Sequence, residues 1–247
     1  MGSRAEAKLA IEEGLVKVNG VDASRATTLV APDTPVTLTR NARRFVSRGG
    51  DKLEGALTRL GVEVEGRLWL DAGASTGGFT DCLLQRGATA VIAVDVGYGQ
   101  LDWRLRNDER VIVMERVNVR ELQPDQLPWV PDGVVADLSF ISLRTVLPAL
   151  TRSVGPSADL ILMVKPQFEV GRSNVGKSGV VRDPALWEIA VESVVEAADG
   201  SGLGLVSATA SDVPGPAGNR EFFVWLRRDA PTDPSAIGSA IAEASGR

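Results

Sequence analysis

Histidine is absent from this 247-residue chain, and cysteine occurs once, as Cys82. Without an imidazole there is no general base for a serine hydrolase triad. With no histidine and one cysteine, a structural zinc site has no ligand set, and no intrachain disulfide can form. Such cysteine usage points to a reducing compartment, and the cytoplasm is the expected location. Long apolar runs are also lacking. Runs such as Leu160 to Val164 fall far short of the roughly 18 residues that span a bilayer. No secretory signal is visible at the start. Glu6 stands where a Met1-Gly2 myristoylation signal wants Ser or Thr.

What is present is the composition of a globular protein, 44% hydrophobic and 24% charged, with length for one large domain or a medium and a small one. The net charge of −5 conceals an asymmetry. Residues 1–60 hold ten Lys/Arg against seven Asp/Glu, and the remainder holds 17 against 25. A basic front on an acidic body suits nucleic-acid contact from the N-terminal side, or is a mildly basic surface without a partner.

The stretch Leu68-Trp69-Leu70-Asp71-Ala72-Gly73-Ala74-Ser75-Thr76-Gly77-Gly78-Phe79-Thr80 organises the rest. An apolar run ends in an acid, then a glycine-rich turn, then a helix-compatible segment from Asp81 to Arg86. That is the entry unit of a nucleotide-type α/β domain. Gly73-Ala74-Ser75-Thr76-Gly77 spells the nucleophile elbow of α/β-hydrolases, but the missing histidine removes that reading. A dinucleotide loop wants glycine where Ser75 stands. A loop for S-adenosylmethionine needs no phosphate cradle and fits the spacing. Asp95 closes the next apolar run, Ala90 to Val94, where an acid can accept both ribose hydroxyls of an adenosine.

Along the chain, residues 3–11 read as a short helix, and Leu15 to Val21 reads as a strand into an Asn19-Gly20 turn. Val36-Thr37-Leu38 is a further short strand. Arg40 to Gly50 carries four arginines and Phe45 in a linker-length segment. Arginine forks suit phosphates and a ring can stack on a base, although Phe45 is expected to be buried on the large domain. Asp51 to Leu60 is a helix with Leu53, Leu57 and Leu60 on one face. Strands are predicted at Arg67–Asp71, Ala90–Asp95, Val111–Glu115, Gly133–Leu138, Asp159–Val164, Leu203–Ala208 and Glu221–Leu226. Helices fall at Gly77–Arg86, Leu101–Arg106, Ser142–Leu150 and Asp183–Ala198. This alternation means a mostly parallel sheet covered on both faces. Only a Pro-Gly turn joins the last two strands, which favours an antiparallel hairpin at the sheet edge. The tail from Asp229 offers one weak helical face through Ile237 and Ile241.

Asp137 and Lys165 end apolar strands, and Glu221 begins the final one. If that strand is antiparallel, all three face one cleft at the carboxyl ends of the sheet. A lysine closing an apolar strand is paired or used. A lysine so placed acts as a base only where burial or a neighbouring cation such as Lys52 lowers its pKa.

Two resemblances follow from these residues. Ser3, Arg4, Ala7, Ile11, Gly14, Val16, Val18, Asn19 and Gly20 resemble the αL RNA-binding module of a ribosomal protein, without that module's first helix. The set Lys52, Asp137, Lys165 and Glu221 resembles the catalytic tetrad of FtsJ-class ribose 2′-O-methyltransferases. The blocks V-S-R-G-x-x-K-L, D-A-G-A-S-T-G-G-F-T, D-V-G-Y-G-Q-L, A-D-L-S-F-I-S-L, V-K-P-Q-F-E-V-G and P-G-P-x-G-N-x-E are similar to the TlyA family. Those are cytidine 2′-O-methyltransferases of ribosomal RNA, also labelled haemolysins.

The resemblance implies a class I, Rossmann-like methyltransferase with a seven-stranded, mostly parallel sheet. It implies a truncated RNA-binding domain at 1–39, a linker at 40–50, the methyltransferase domain at 51–229 and a tail at 230–247. The implied cofactor is S-adenosylmethionine, held by Asp71, Gly73, Ser75, Gly77, Phe79, Asp95, Asn118 and Asp137. The implied partner is ribosomal RNA, 16S or 23S, met by Arg4, Lys17, Arg43, Arg44, Phe45 and Arg48. No metal and no membrane enter this reading. The alternatives are an RNA- and cofactor-binding assembly factor with little catalysis, and a membrane-active haemolysin.

Overall fold

The computed structural model describes residues 7–8, 10–11, 14–23, 25–38, 44–176 and 179–246. Ala7, Lys8, Ala10 and Ile11 are helical. A small antiparallel sheet follows, with β1 (Val16–Val18), β2 (Val21–Asp22) and β3 (Val36–Leu38) in the order β2-β1-β3. Asn19 and Gly20 turn the chain with φ of 49° and 79°, the two left-handed residues that a tight hairpin needs.

Helix α1 (Arg48–Leu60) starts a turn earlier than the sequence reading placed it. Ser47 is the reason: its Oγ accepts from the Gly49 N–H at 3.3 Å, a side-chain cap on an otherwise orphaned donor. Gly61, at φ 68°, ends the helix and returns its N–H to the Leu57 carbonyl. Lys52 therefore sits inside the helix rather than at its tip.

The large sheet contains β4 (Leu68–Ala72), β5 (Ala90–Asp95), β6 (Val111–Glu115), β7 (Gly133–Ala136), β8 (Asp159–Val164), β9 (Leu203–Ala210) and β10 (Phe222–Arg228). Their order is β6-β5-β4-β7-β8-β10-β9. The pairs among β4 to β8 are parallel, and β10 is antiparallel to both of its neighbours. β9 and β10 thus form the expected antiparallel hairpin at the sheet edge, with β10 between β8 and the rim strand β9. Helices α2 (Gly78–Gln85), α3 (Trp103–Arg106), α4 (Leu143–Arg152), α5 (Pro166–Glu169), α6 (Pro184–Asp199) and α7 (Ser235–Ser245) complete the domain.

Strand alternation divides the core in two. Trp69, Val135, Ile161 and Phe223 face α1 and α2, while Leu70, Val134, Leu160 and Phe222 face α4, α6 and α7. Burying both faces requires the nearly continuous apolar strands seen in the sequence. The C-terminal segment is built into this core: Ile237 and Ile241 are buried, and Glu243 accepts from the Ala210 N–H at 3.0 Å. Gly133 lies under Trp69, where a Cβ would fall 2.5 Å from the indole ring. Gly133→Ala is expected to cost about 1–3 kcal/mol through overpacking, read as an earlier urea midpoint.

The chain runs outward from β4 through β5 to β6, then returns past β4 to β7 and β8. The order reverses between β4 and β7. That reversal opens a crevice at the carboxyl ends of the strands.

Candidate active site

A cleft of about 530 Å³ occupies that crevice. One wall is the loop after β4. Gly73 and Ala74 donate to the Val94 carbonyl at 2.8 and 3.1 Å, tying the loop to β5. Gly73 has φ 89°, and a Cβ on it would fall 2.7 Å from the Asp137 carbonyl, so no side chain fits. Ser75 takes φ 48°, a conformation a glycine would adopt without strain. Its N–H donates to Asp95 Oδ2 at 2.8 Å, and the Gly97 N–H donates to Asp95 Oδ1 at 2.6 Å. Both oxygens of Asp95 keep a lone pair. They border a narrow slot shared with Ala74, Gln100, Leu101 and Val113.

Asp71 lies beneath this loop, fully buried, and does not line the cleft. Thr80 Oγ1 donates to its Oδ2 at 2.7 Å, while Oδ1 has no hydrogen-bond partner among the described residues. Burial pushes its pKa up to about 7, helped by the charge of Asp137 and opposed by the Thr80 hydrogen bond. The expected direct cofactor contact is corrected to a support under the loop. The folded state keeps the Asp71 proton between about pH 4 and 7, where the unfolded chain releases it. Stability from this group is therefore full below that window and lost as pH rises through it. Asp71→Asn does not titrate. Its stability relative to the parent should rise by a few kcal/mol, roughly 2–4, from pH 5 to pH 8 in urea denaturation.

The opposite wall carries two ion pairs. Lys165, the residue after β8, places Nζ 2.5 Å from Asp137 Oδ1 and donates to Ser139 Oγ at 3.0 Å. Lys52, from α1, meets Glu221 Oε2 at 2.5 Å. The β10–β8 register pairs Phe222 with Val164, which brings Glu221 to the Lys165 end of the sheet. Lys52 and Glu221 are 6% and 2% exposed, so this pair is deep. All four residues line the one cleft. Lys52 has its own carboxylate and is no lone cation beside Lys165.

The remaining expectations divide. Gly73, Ser75, Phe79 and Asp137 line the cleft, Gly77 shapes the loop at φ 95°, and Asp95 lines the adjoining slot. Asn118 lines neither: its oxygen caps the turn at Val119–Glu121 by accepting from the Arg120 N–H at 3.1 Å. Arg48 lines the cleft. Arg44 pairs with Glu54 at 3.0 Å and lies over the Phe45 ring. Phe45 is 2% exposed, which rules out base stacking by its ring in this arrangement. Lys17 pairs with Asp22 on the small sheet. Arg4 and Arg43 lie outside the described residues. Cys82 is buried, and burial pushes its thiol pKa up, which leaves it inert.

The sequence reading missed Ser139, Phe140, Gln167 and Phe168, all at the cleft. Each lies within three residues of Asp137 or Lys165, and that proximity was the available signal. Phe140 is 91% exposed on a left-handed backbone, φ 65°, with its ring 5.4 Å from that of Phe168.

Residues 45–228 match the FtsJ-like methyltransferase family. The chain belongs to that family. It is 51% identical over 237 residues, 96% of this chain and 88% of the relative, to the 16S/23S rRNA (cytidine-2′-O)-methyltransferase TlyA of Mycobacterium tuberculosis. A solved structure from Streptococcus thermophilus, which carries a hemolysin name, is 38% identical, covers 100% of this chain and 91% of that one, and superposes with a TM-score of 0.81. An S-adenosylmethionine dependent methyltransferase from Mesorhizobium loti shares the fold at a TM-score of 0.53, with 13% identity over 70% of this chain and 96% of that one. An FtsJ-like methyltransferase uses S-adenosylmethionine, and the residues fit it. The glycine loop admits close approach, Asp95 offers acceptors to a ribose, and the Asp137 carboxylate favours a cationic group. Among the described residues, no helix is long and apolar enough to cross a membrane, and no three potential metal ligands gather.

Proposed function

We propose that the cleft methylates the ribose 2′-hydroxyl of a cytidine in ribosomal RNA. The observation that carries this is the convergence of two ion pairs, Lys165–Asp137 and Lys52–Glu221, on one cleft beside the glycine loop. When bound, S-adenosylmethionine supplies an electrophilic methyl group on a sulfonium. A ribose hydroxyl is a weak nucleophile and must shed its proton as it attacks. Lys165 has three donor directions. Ser139 takes one at 3.0 Å, the Asp137 carboxylate lies 2.5 Å from the ammonium, and the ribose oxygen can meet another. Lys165 holds that oxygen and stabilises the charge that develops on it, and the hydroxyl proton passes to the partly exposed Asp137 carboxylate and on to solvent. Lys52 and Glu221 fix the ribose, and orientation supplies much of the rate.

Gly73, Ser75, Gly77, Phe79 and Asp95 hold the cofactor, with Asp71 beneath them. Phe140 offers an exposed ring on which a base can stack. Arg44, Arg48 and Lys17, with Arg4 and Arg43, contact RNA phosphates. The small sheet within 1–39 acts as the RNA-binding domain, joined through 40–50 to the methyltransferase domain at 51–229 and its C-terminal segment at 230–247. A ribosomal RNA substrate supports a cytoplasmic location.

The test is transfer of labelled methyl to ribosomal subunits and intact ribosomes that lack the modification. The expected product is label on a cytidine 2′-oxygen. Cofactor binding without transfer to any of these would favour the assembly-factor reading. Leakage of liposomes by the pure protein would favour the membrane-active one.

A further inference from the structure

We propose that Gln167 reads the target base, with its Oε1 accepting from the exocyclic amine of the cytosine. This rests on the ribose-methylation reading above. Gln167 lies two residues past Lys165, in the first turn of α5, and lines the cleft. Its Oε1 is buried and has no hydrogen-bond partner among the described residues. Buried amide oxygens without partners are uncommon in native chains because leaving one unmade is costly. A donor brought by a ligand would relieve it.

The sheet order indicates which ligand brings that donor. The glycine loop follows β4 and Asp95 ends β5, so the adenosine-binding features lie on one side of the crevice. Gln167 follows β8, two positions from β4 across the sheet, on the side of Lys165 and Glu221. That side receives the target nucleotide. The next residue, Phe168, packs against the exposed ring of Phe140, where a base has a face to stack on. A base stacked there presents its edge next to Gln167. The terminal torsion of a glutamine is soft, so the carboxamide can turn toward that edge.

Cytosine carries an amine donor beside a ring-nitrogen acceptor, the complement of a carboxamide's oxygen and amide group. Uracil carries a carbonyl beside an N–H. It confronts Oε1 with another lone pair unless the carboxamide turns over. Because it can turn over, the expected preference for cytidine is on the order of tenfold, not thousands.

The experiment first maps the nucleotide methylated by the parent enzyme on unmodified subunits, then repeats the rate measurement on subunits with uridine at that position. Three enzymes are compared: the parent, Gln167→Met and Gln167→Glu. The parent should prefer cytidine by about tenfold. Gln167→Met, which has neither donor nor acceptor, should bring the ratio near one. Gln167→Glu should lower the ratio as well, because a carboxylate accepts from the cytosine amine and from the uracil N–H alike and has no donor for the cytosine ring nitrogen. A ratio unchanged in both variants, or no preference in the parent, overturns the assignment. Equal loss on both nucleotides in Gln167→Met overturns it as well if Gln167→Glu keeps the parent's ratio, because the role is then structural. Absence of ribose methylation by the parent enzyme is a different outcome, the failure of the function itself.

Discussion

Lys165→Met should slow methyl transfer by about a thousandfold, at the top of the roughly 10²- to 10³-fold range for a lost donor to a developing oxyanion, and leave cofactor binding near that of the parent. Methionine keeps the length and the apolar stem of lysine but none of its donors. The contacts with Asp137 and Ser139 disappear together, and the ribose oxygen loses its partner. The fold should tolerate the change. The Asp137 side chain is 25% exposed, so water can solvate its carboxylate once the ammonium is gone. Lys165→Arg should not rescue the rate, since a planar fork cannot reproduce a compact ammonium between two close partners. Single-turnover rates on subunits, paired with calorimetric titration of the cofactor, separate the two effects. A parental rate in Lys165→Met would remove Lys165 from the reaction.

Much of the fold was legible because burial on both faces leaves an unambiguous trace. Ala90–Asp95, Val111–Glu115 and Asp159–Val164 were read residue for residue. Their apolar runs end where the sheet ends, at a charged or turn residue. The shared cleft of Asp137, Lys165 and Glu221 was legible for a related reason, since a charge at the end of an apolar run marks a strand terminus, whereas Lys52, inside α1, joined them only through the resemblance. The failures share a cause too. A linear pattern does not say which way a polar side chain points. The apolar pattern ends one strand at Asp71 and the next at Asp95, yet Asp71 lies inside β4, sealed beneath the loop, and Asp95 opens on the slot. Asn118 stands in a plausible position but is consumed by a turn. Ile237 and Ile241 gave only a weak face because most of α7 buries small alanines, which carry little periodic signal. Gln167 offered only its nearness to Lys165, because a missing hydrogen bond is visible only in three dimensions.

Glu221→Leu should destabilise the protein by about 3–5 kcal/mol, because it strands the ammonium of Lys52 inside the domain. The side chains of this pair are 7% and 1% exposed, far less than Asp137, so water cannot compensate. For a domain of this size the melting temperature should fall by roughly 10 °C. The single variant also loses activity, but that loss has two explanations, a disordered cleft or a missing ribose contact. Lys52→Met combined with Glu221→Leu separates them. Replacing both charges with apolar groups of similar volume is often neutral or stabilising, so the double variant should recover most of the lost stability, read from urea denaturation. Its methyl transfer should remain as low as that of the single variant. Recovery of stability together with activity would make the pair a structural tie between α1 and β10. Recovery of stability alone places both side chains in the handling of the substrate, where a buried ion pair would be retained despite its desolvation cost.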